Sequence, residues 1–315
     1  MFLKRRPRDW LVGLMQAGAF LTAVFSIATA FDQLHRVLEL FSHFRLQYLS
    51  ASTLLFVCLA ALQRRRMAAL MLAVTLINAA YVAPWFWPRA GAGDAASLTL
   101  LHANILVDND DVSPLLASIE REQPDVIFVQ ELSRRHLPLL ETLATTYPHS
   151  ITEPRDHPFG LGAWSKHPFL AADVIATPPR ENPSLRIVVD YDGDPVTIFS
   201  THPVPPVGAG FYYERNTQLA YVADLVRATR GSTIVIGDLN ITPWATHYRE
   251  FEAVSGLVNA QRGHGIKPSW PLFLPIAMIP IDHALVSGDL VANEVRTLGS
   301  VGSDHLPLLV RISRR

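Results

Sequence analysis

Ile234-Val235-Ile236-Gly237-Asp238-Leu239-Asn240 decides the fold. Three β-branched residues in a row suit a strand buried on both faces. The run then stops on an acid and an amide separated by one residue, so an extended backbone sends both side chains to the same side. Gly237 lets another backbone come close at that point. A second such place is Asp304-His305, followed by the apolar run Leu306 to Ile312. Polar groups at the tips of buried strands are where a catalytic site belongs.

Working outward, strand-like runs cover 97–103, 125–130, 161–165, 185–190, 195–200, 233–237, 282–287 and 306–312. Helical stretches cover 111–122, 133–146, 213–229 and 246–254. Asp111-Val-Ser-Pro114 offers a capping residue and an early proline. Short strands among a few helices imply a sheet core flanked by helices, and the pattern alone leaves a doubly wound sheet equally open. No internal repeat is visible.

The 315 residues carry a net charge of −1, so no basic field advertises nucleic acid. The single cysteine, Cys58, excludes an intrachain disulfide and a thiolate metal cluster. Mean hydropathy is +0.20 with 49% hydrophobic residues, high for a purely soluble chain. The excess lies at the N-terminus. Residues 10–31, 46–62 and 67–87 are apolar runs, the second near the lower length limit for a span. Aromatics mark their ends: Trp10, Phe31, Tyr48, Trp85, Phe86 and Trp87. The first run lacks a small-residue cleavage site and two more follow, which argues against a signal peptide. Lys4, Arg5, Arg6 and Arg8 precede it, and Arg64-Arg65-Arg66 separate the second from the third. The positive-inside rule then places the N-terminus and the arginine turn in the cytoplasm. Three crossings put the rest of the chain on the periplasmic or extracellular face of the cytoplasmic membrane. The expected organisation is a membrane domain over 1–88, a Pro/Gly/Ala linker at 89–96 and a catalytic domain over 97–315.

Within that domain the chemistry-bearing residues follow the strands. Asn104 ends one, where an amide can orient a metal ligand or hold a phosphate oxygen, although such a residue is more often a turn former; Glu131 ends another, where a hard cation takes oxygen ligands, although a solvated strand end is the more ordinary reading. His202 in Ser200-Thr-His-Pro203 can donate to an oxyanion. Asp282 and Asp304 each precede a histidine, so an Asp–His couple is available, with His283 the more structural of the two histidines. Arg215 and Asn216 open a helix and can reach a phosphate or simply sit on the surface. Glu153, Asp156, His157, His247 and His264 stand at background.

In order and spacing, Asn104, Gln130-Glu131, Gly162-Ala-Trp-Ser165, Thr201-His-Pro203, Arg215-Asn216-x-Gln218-Leu219, Gly237-Asp-Leu-Asn240, Ile281-Asp-His283 and Ser303-Asp-His305 resemble the endonuclease/exonuclease/phosphatase superfamily over about 97–313. The resemblance implies an α/β (α+β) fold of the DNase I type, a four-layer α/β sandwich, here preceded by three transmembrane helices. It implies Mg2+ or Mn2+ held by Glu131, with Asn104 and Asp304 supporting the metal. His202 and Asn240 bind phosphoryl oxygens, and Asp238 orients the attacking water. His305 acts as general base or transition-state donor, oriented by Asp282. Thr201-His-Pro-x-Pro205 and Asp238-Leu-Asn-x-Thr-Pro-Trp244 are similar to the bacterial membrane-anchored branch that includes relatives of the teicoplanin-resistance protein.

Tethering favours a lipid or other membrane-associated phosphoester as substrate: a phospholipid, a sphingolipid or a polyprenyl phosphate. The apolar stretch Ser269 to Pro280, just before Asp282, either rims the site and meets a lipid chain or is buried as loop and strand. Long basic loops with aromatic wedges are missing, so nucleic acid is the less expected partner. A membrane nuclease for extracellular DNA or RNA is the second reading, and a non-catalytic envelope binding factor the third. Nothing marks a protein partner.

Overall fold

The computed structural model describes residues 7–88 and 97–315. Lys4, Arg5 and Arg6, the side chain of Arg8 and the linker 89–96 lie outside the described residues. The chain divides into two compact units, one of Met1–Pro84 with Trp244–Thr246 and one of Trp85–Pro243 with His247–Arg315.

In the first unit, α1 (Pro7–Ala28) runs on as a 3-10 turn, so Trp10–Leu34 forms a candidate span of 25 residues. Helix α4 (Arg65–Val82) extends through Phe86 to make a second, of 22 residues. Between them α2 (Arg36–Ser42) and α3 (Arg45–Ala61) meet at 62°, and they add a third candidate only if the bent pair is one span. Small residues line the helix contacts: Ala19, Ala23 and Ala68 pack with Leu59, Met71 and Val74. Trp10, Leu14, Phe20, Leu54 and Leu76 point outward and are exposed. An apolar exterior over a small-residue interior is the arrangement lipid favours. Asn78 ties three helices, accepting from Arg45 Nη1 at 3.1 Å and donating to Ser26 Oγ at 2.8 Å.

The second unit is built on two six-stranded sheets. Its strands are β1 (Leu98–Asn104), β2 (Val126–Gln130), β3 (His149–Glu153), β4 (Leu161–Ser165), β5 (Phe169–Thr177), β6 (Asn182–Tyr191), β7 (Asp194–Thr201), β8 (Ser232–Asp238), β9 (Val258–Asn259), β10 (Asp282–Val286), β11 (Leu290–Thr297) and β12 (Leu308–Arg314). One sheet runs β11-β12-β1-β2-β4-β3 and the other β5-β6-β7-β8-β10-β9. Parallel neighbours, β1 with β2 and β7 with β8, sit among antiparallel ones. Side-chain alternation separates two cores. Leu98, Leu100, Val126, Phe128, Ile198, Ile234, Ile236, Ala284, Leu308 and Val310 fill the space between the sheets. Leu101, Ala103, Ile127, Val129 and Leu309 face the other way, onto Leu115 and Ile119 of α5 (Ser113–Glu122). On the outer face of the second sheet, Tyr248 of α8 (Thr246–Ser255) stacks near His283, and Gln218 of α7 (Ala209–Ala228) bonds Thr201. Two sheets face to face with helices outside agree with the expected α/β sandwich.

Every strand expected from sequence is present, and four others are added. These four, β3, β5, β9 and β11, are the four sheet edges. An edge strand has solvent on one side, so it needs no continuous apolar run: β5 is largely exposed and β9 has two residues. The helix expected over 133–146 is broken into a 3-10 turn at Arg134–His136, α6 (Leu137–Leu140) and a further 3-10 turn at Glu141–Thr145. Pro138 lies inside it, and Ser133 and His136 close a capping box on the first turn.

Candidate active site

The site is the place where the inter-sheet core changes from apolar to polar. Along β1 the positions facing the core read Leu98, Leu100, then His102 and Asn104; along β2 they read Val126, Phe128, then Gln130. In the other sheet Ile234 and Ile236 lead to Asp238, and Val286 and Ala284 lead to Asp282. Register brings the polar ends together, with Asn104 opposite Gln130 and Asp282 opposite Asp238. No two of these acids lie near each other in sequence.

Asp238 Oδ2 is the hub. It lies 3.4 Å from His202 Nε2, 3.7 Å from His305 Nε2 and 3.4 Å from Asn104 Nδ2. Its Oδ1 accepts from the Asn240 backbone N–H at 2.9 Å. Gln130 holds the strand end from across the sandwich: its Oε1 accepts from Asp238 N at 3.0 Å, and its Nε2 donates to Thr201 O at 2.9 Å. Gly237, at φ 154°, makes this possible, because a Cβ there would stand 2.2 Å from Thr201 O and 2.5 Å from Gln130 Nε2.

Beside the hub, Glu131 Oε1 accepts from Asn104 Nδ2 at 3.0 Å and Oε2 from Val107 N at 2.8 Å. Each oxygen keeps a lone pair, and the residue remains 9% exposed. Glu131 (φ 61°) and Asn240 (φ 51°) both adopt the left-handed backbone region without being glycine. Such strain persists where the surroundings impose it, and it concentrates at functional positions. The Asn240 amide donates to Pro203 O at 2.9 Å, and its carbonyl accepts from Arg215 Nη1 at 3.0 Å.

Asp282 joins two imidazoles. Its Oδ2 lies 2.9 Å from His305 Nδ1 and its Oδ1 2.8 Å from His102 Nε2. Burial opposes its charge, but the facing His305 and the hydrogen bond from His102 hold the carboxyl far below the usual range. Burial also works against a charged His305, yet Asp282 and Asp238 prevail and raise it to about 10. His202, with Nδ1 on Pro158 O at 3.1 Å, is raised likewise by Asp238 against the cost of burial. At neutral pH His305 therefore presents an N–H donor toward Asp238, and the same carboxylate favours the protonated form of His202.

His202, Asp238, Asn240, Asp282, His305, Asn104 and Glu131 thus come together. Asp304 adjoins His305 in the chain, and its Oδ2 accepts from Trp270 Nε1 at 2.8 Å. Arg215 is not open to an entering phosphate: it is fully buried, its Nε donates to Asn216 Oδ1, and its guanidinium braces the Asn240 turn. Asn216 is half-buried, and its Oδ1 accepts that bond. His283 is structural, as its sequence setting suggests, bonded to Ile241 O and Asn259. His102 was missed, although it stands two residues before Asn104 and so shares its face.

The model for the endonuclease/exonuclease/phosphatase family matches residues 101–305. The chain belongs to that family. Its members are divalent-metal-dependent phosphodiesterases and phosphatases, and this chain is a phosphoric ester hydrolase of that family. Solved structures of the same fold include a Danio rerio TDP2 complexed with a single-stranded DNA product, at 17% identity and TM-score 0.61, covering 69% of this chain and 99% of that one. A family protein from Beutenbergia cavernae is 21% identical at TM-score 0.58, covering 69% and 72%. Sphingomyelinase C from Streptomyces griseocarneus is 16% identical at TM-score 0.53, covering 69% and 99%. No curated protein matches the chain.

Among the described residues, no group of three or more His, Cys, Asp or Glu side chains is arranged to hold a metal ion. The family's cation still fits. Mg2+ keeps several waters and needs only one or two carboxylates beside phosphate oxygens, and each Glu131 oxygen accepts one hydrogen bond and keeps a lone pair for an ion. Asn104 turns its NH2, not its oxygen, toward Glu131, and its Oδ1 accepts from Leu106 N. It therefore orients the carboxylate.

Proposed function

We propose that the protein hydrolyses a membrane-associated phosphoester, a phospholipid, sphingolipid or polyprenyl phosphate, from the outer face of the cytoplasmic membrane. One observation carries the choice of substrate. The stretch from Trp270 is split: Ile279 and Ile281 are buried, while Phe273 (74%), Leu274 and Ile276 (81%) are exposed. That apolar tip is wired to the catalytic strand end. Trp270 Nε1 donates to Asp304, its ring lies 6.3 Å from that of His305, and Leu272 N donates to Asp304 O. An exposed apolar loop beside a phosphate-cleaving site suits a substrate with a lipid chain.

The N-terminal helices support membrane anchoring, and we read all three runs as spans, with α2 and α3 as one bent span. The exposed Arg64-Arg65-Arg66 turn between α3 and α4 supports a cytoplasmic N-terminus and an external catalytic domain. Apolar helices before a catalytic domain support assigning the chain to the membrane-anchored branch of the family.

In the reaction, Asp238 orients the attacking water and takes up its proton as the water oxygen bonds to phosphorus; the P–O bond to the alcohol breaks in line, and the alcohol leaves after taking a proton from solvent. His202, Asn240 and the charged His305 donate to the phosphoryl oxygens as their charge grows. The raised His305 is suited to donation, so we assign it as transition-state donor, with Asp282 fixing its ring. Glu131 would hold the cation, Mg2+ or Mn2+, and we assign Asp304 a supporting role toward it; such an ion supplies Lewis-acid polarisation of the phosphate. The test compares lipid vesicles and plasmid DNA as substrates with Mg2+, for wild type and His305→Ala. Lipid cleavage lost in the variant is expected. DNA cleavage without lipid cleavage would make the protein a membrane nuclease, and equal rates in the two proteins would remove the catalytic role of His305.

A further inference from the structure

His102 has no place in the reaction as described, and its setting is costly. Both His102 and Asp282 are fully buried. With Asp282 ionised, His102 Nε2 carries the proton and donates at 2.8 Å. Its Nδ1, buried with the ring, has no hydrogen-bond partner among the described residues. A polar atom buried without a partner is destabilising. A leucine would fill this part of the apolar β1 column without that cost, so packing alone does not account for an imidazole here.

The bond to Asp282 does account for it. Asp282 has two carboxylate oxygens, and each takes one imidazole: Oδ1 takes His102 and Oδ2 takes His305. His102 belongs to β1 in one sheet and Asp282 to β10 in the other. The bond therefore spans the sandwich and fixes the rotation of the carboxylate plane from the side opposite His305. Without a donor, Oδ1 would be a buried anionic oxygen free to turn toward any other N–H. The carboxylate would then rotate away from His305 Nδ1.

We infer that His102 is a positioning residue, holding the Asp282 carboxylate so that Oδ2 aligns the His305 ring on Asp238. The inference rests on the reading of His305 and Asp238 as phosphoesterase groups. Nothing in it requires His102 to touch the substrate or to change its protonation.

The test uses the full-length protein in detergent micelles, with Mg2+ and bis(4-nitrophenyl) phosphate as a soluble diester. His102→Leu removes the donor at similar volume. His102→Gln restores an N–H where Nε2 stood. We expect the leucine variant to lose about 10- to 100-fold in kcat, as when a partner that orients a functional ligand is removed, with KM within about twofold. The glutamine variant should recover most of that loss. In a His305→Ala background, adding His102→Leu should slow the reaction no further, since residues acting as one unit are not additive. A second readout needs no turnover: the low-field proton resonance of His305 Nδ1–H should persist in wild type and the glutamine variant, and shift or vanish in the leucine variant. A leucine variant with wild-type kcat and an unmoved resonance overturns the inference. Equal kcat losses in both variants, accompanied by equal losses of thermal stability, overturn it too, because they mark a purely structural residue. A wild type inert toward every phosphoester would remove the function proposed above, while the resonance would still decide whether His102 positions His305.

Discussion

Gly237→Ala should uncouple the site from its scaffold. The added Cβ would stand 2.2 Å from Thr201 O, against about 3.4 Å for an ordinary contact, so one partner must retreat by roughly 3.4 − 2.2 ≈ 1.2 Å. The Thr201 oxygen is backbone, so turning the Gln130 side chain aside does not relieve the clash, and β8 must move from β7. That overpacking costs about 1–3 kcal/mol, and an alanine held at φ 154° adds about 1–3 kcal/mol of backbone strain. The two give a loss of roughly 2–6 kcal/mol, and the Gln130 bonds to Thr201 O and Asp238 N are stretched with them. The shift displaces Asp238, the next residue, by about an ångström, a misplacement that costs on the order of 100-fold in rate. Thermal unfolding followed by tryptophan fluorescence should show a Tm lower by roughly 10 °C, from about 2–4 °C per kcal/mol for a domain of this size. Hydrolysis of a soluble diester should fall about 100-fold. A variant within 2 °C and twofold of wild type would refute the close approach of Thr201 and Gln130 on which the reasoning depends.

Further predictions concern other parts of the molecule. His283 is buried and its pKa is pushed down to about 4 by desolvation. The unfolded chain therefore binds a proton between pH 6.5 and 4 that the folded chain refuses, so stability is full above 6.5 and falls as pH drops toward 4. The loss is about 3 kcal/mol at about 1.4 kcal/mol per pH unit. His136, lowered mainly by burial, adds to the same window. Denaturant melts should show a shallower pH slope in His283→Gln, and an unchanged slope would count against it. Glu131→Gln should abolish the rise in Tm that millimolar Mg2+ gives the wild type, as well as Mg2+-dependent turnover; an equal rise in both proteins would move the cation elsewhere. Arg215→Met leaves the Asn240 carbonyl without its guanidinium donor, and should cost about 1–3 kcal/mol in unfolding titrations. Replacing Phe273 and Ile276 together with alanine should slow cleavage of vesicle lipid at least tenfold while leaving the soluble diester unaffected; equal effects on both would show that the apolar tip serves folding, not lipid.

Sequence reading located the middle of each sheet and the tips of its strands because both signals are local. Val126–Gln130 and Ser232–Asp238 are buried on every residue, so the apolar run announces the strand and its polar end announces the site. The edges were illegible for the same reason: in β5 most residues are exposed, and its strand pairing comes from β6, its one sheet neighbour. Arg215 shows the limit at the site. Its sequence neighbourhood suits a phosphate ligand, and only the fold shows it buried beneath the Asn240 turn. His102 was hidden by its company, since a histidine inside Leu98–Ala103 reads as part of the core. Its partner, Asp282, is 180 residues away and becomes visible only when the sheets face each other.

That facing has a mechanical consequence. The site is stitched across the gap between the sheets, by Gln130 to Thr201 and Asp238, by Asn104 to Asp238 and by His102 to Asp282. Each stitch has one end on each sheet, so a slide of one sheet over the other would lengthen all of them at once. The apolar filling is what sets that slide. Leu100, Phe128, Ile198 and Ile236 act as spacers beneath a jig, and their volumes determine whether the jaws meet. Trimming a methylene there would register as slow turnover before it registered as a less stable fold.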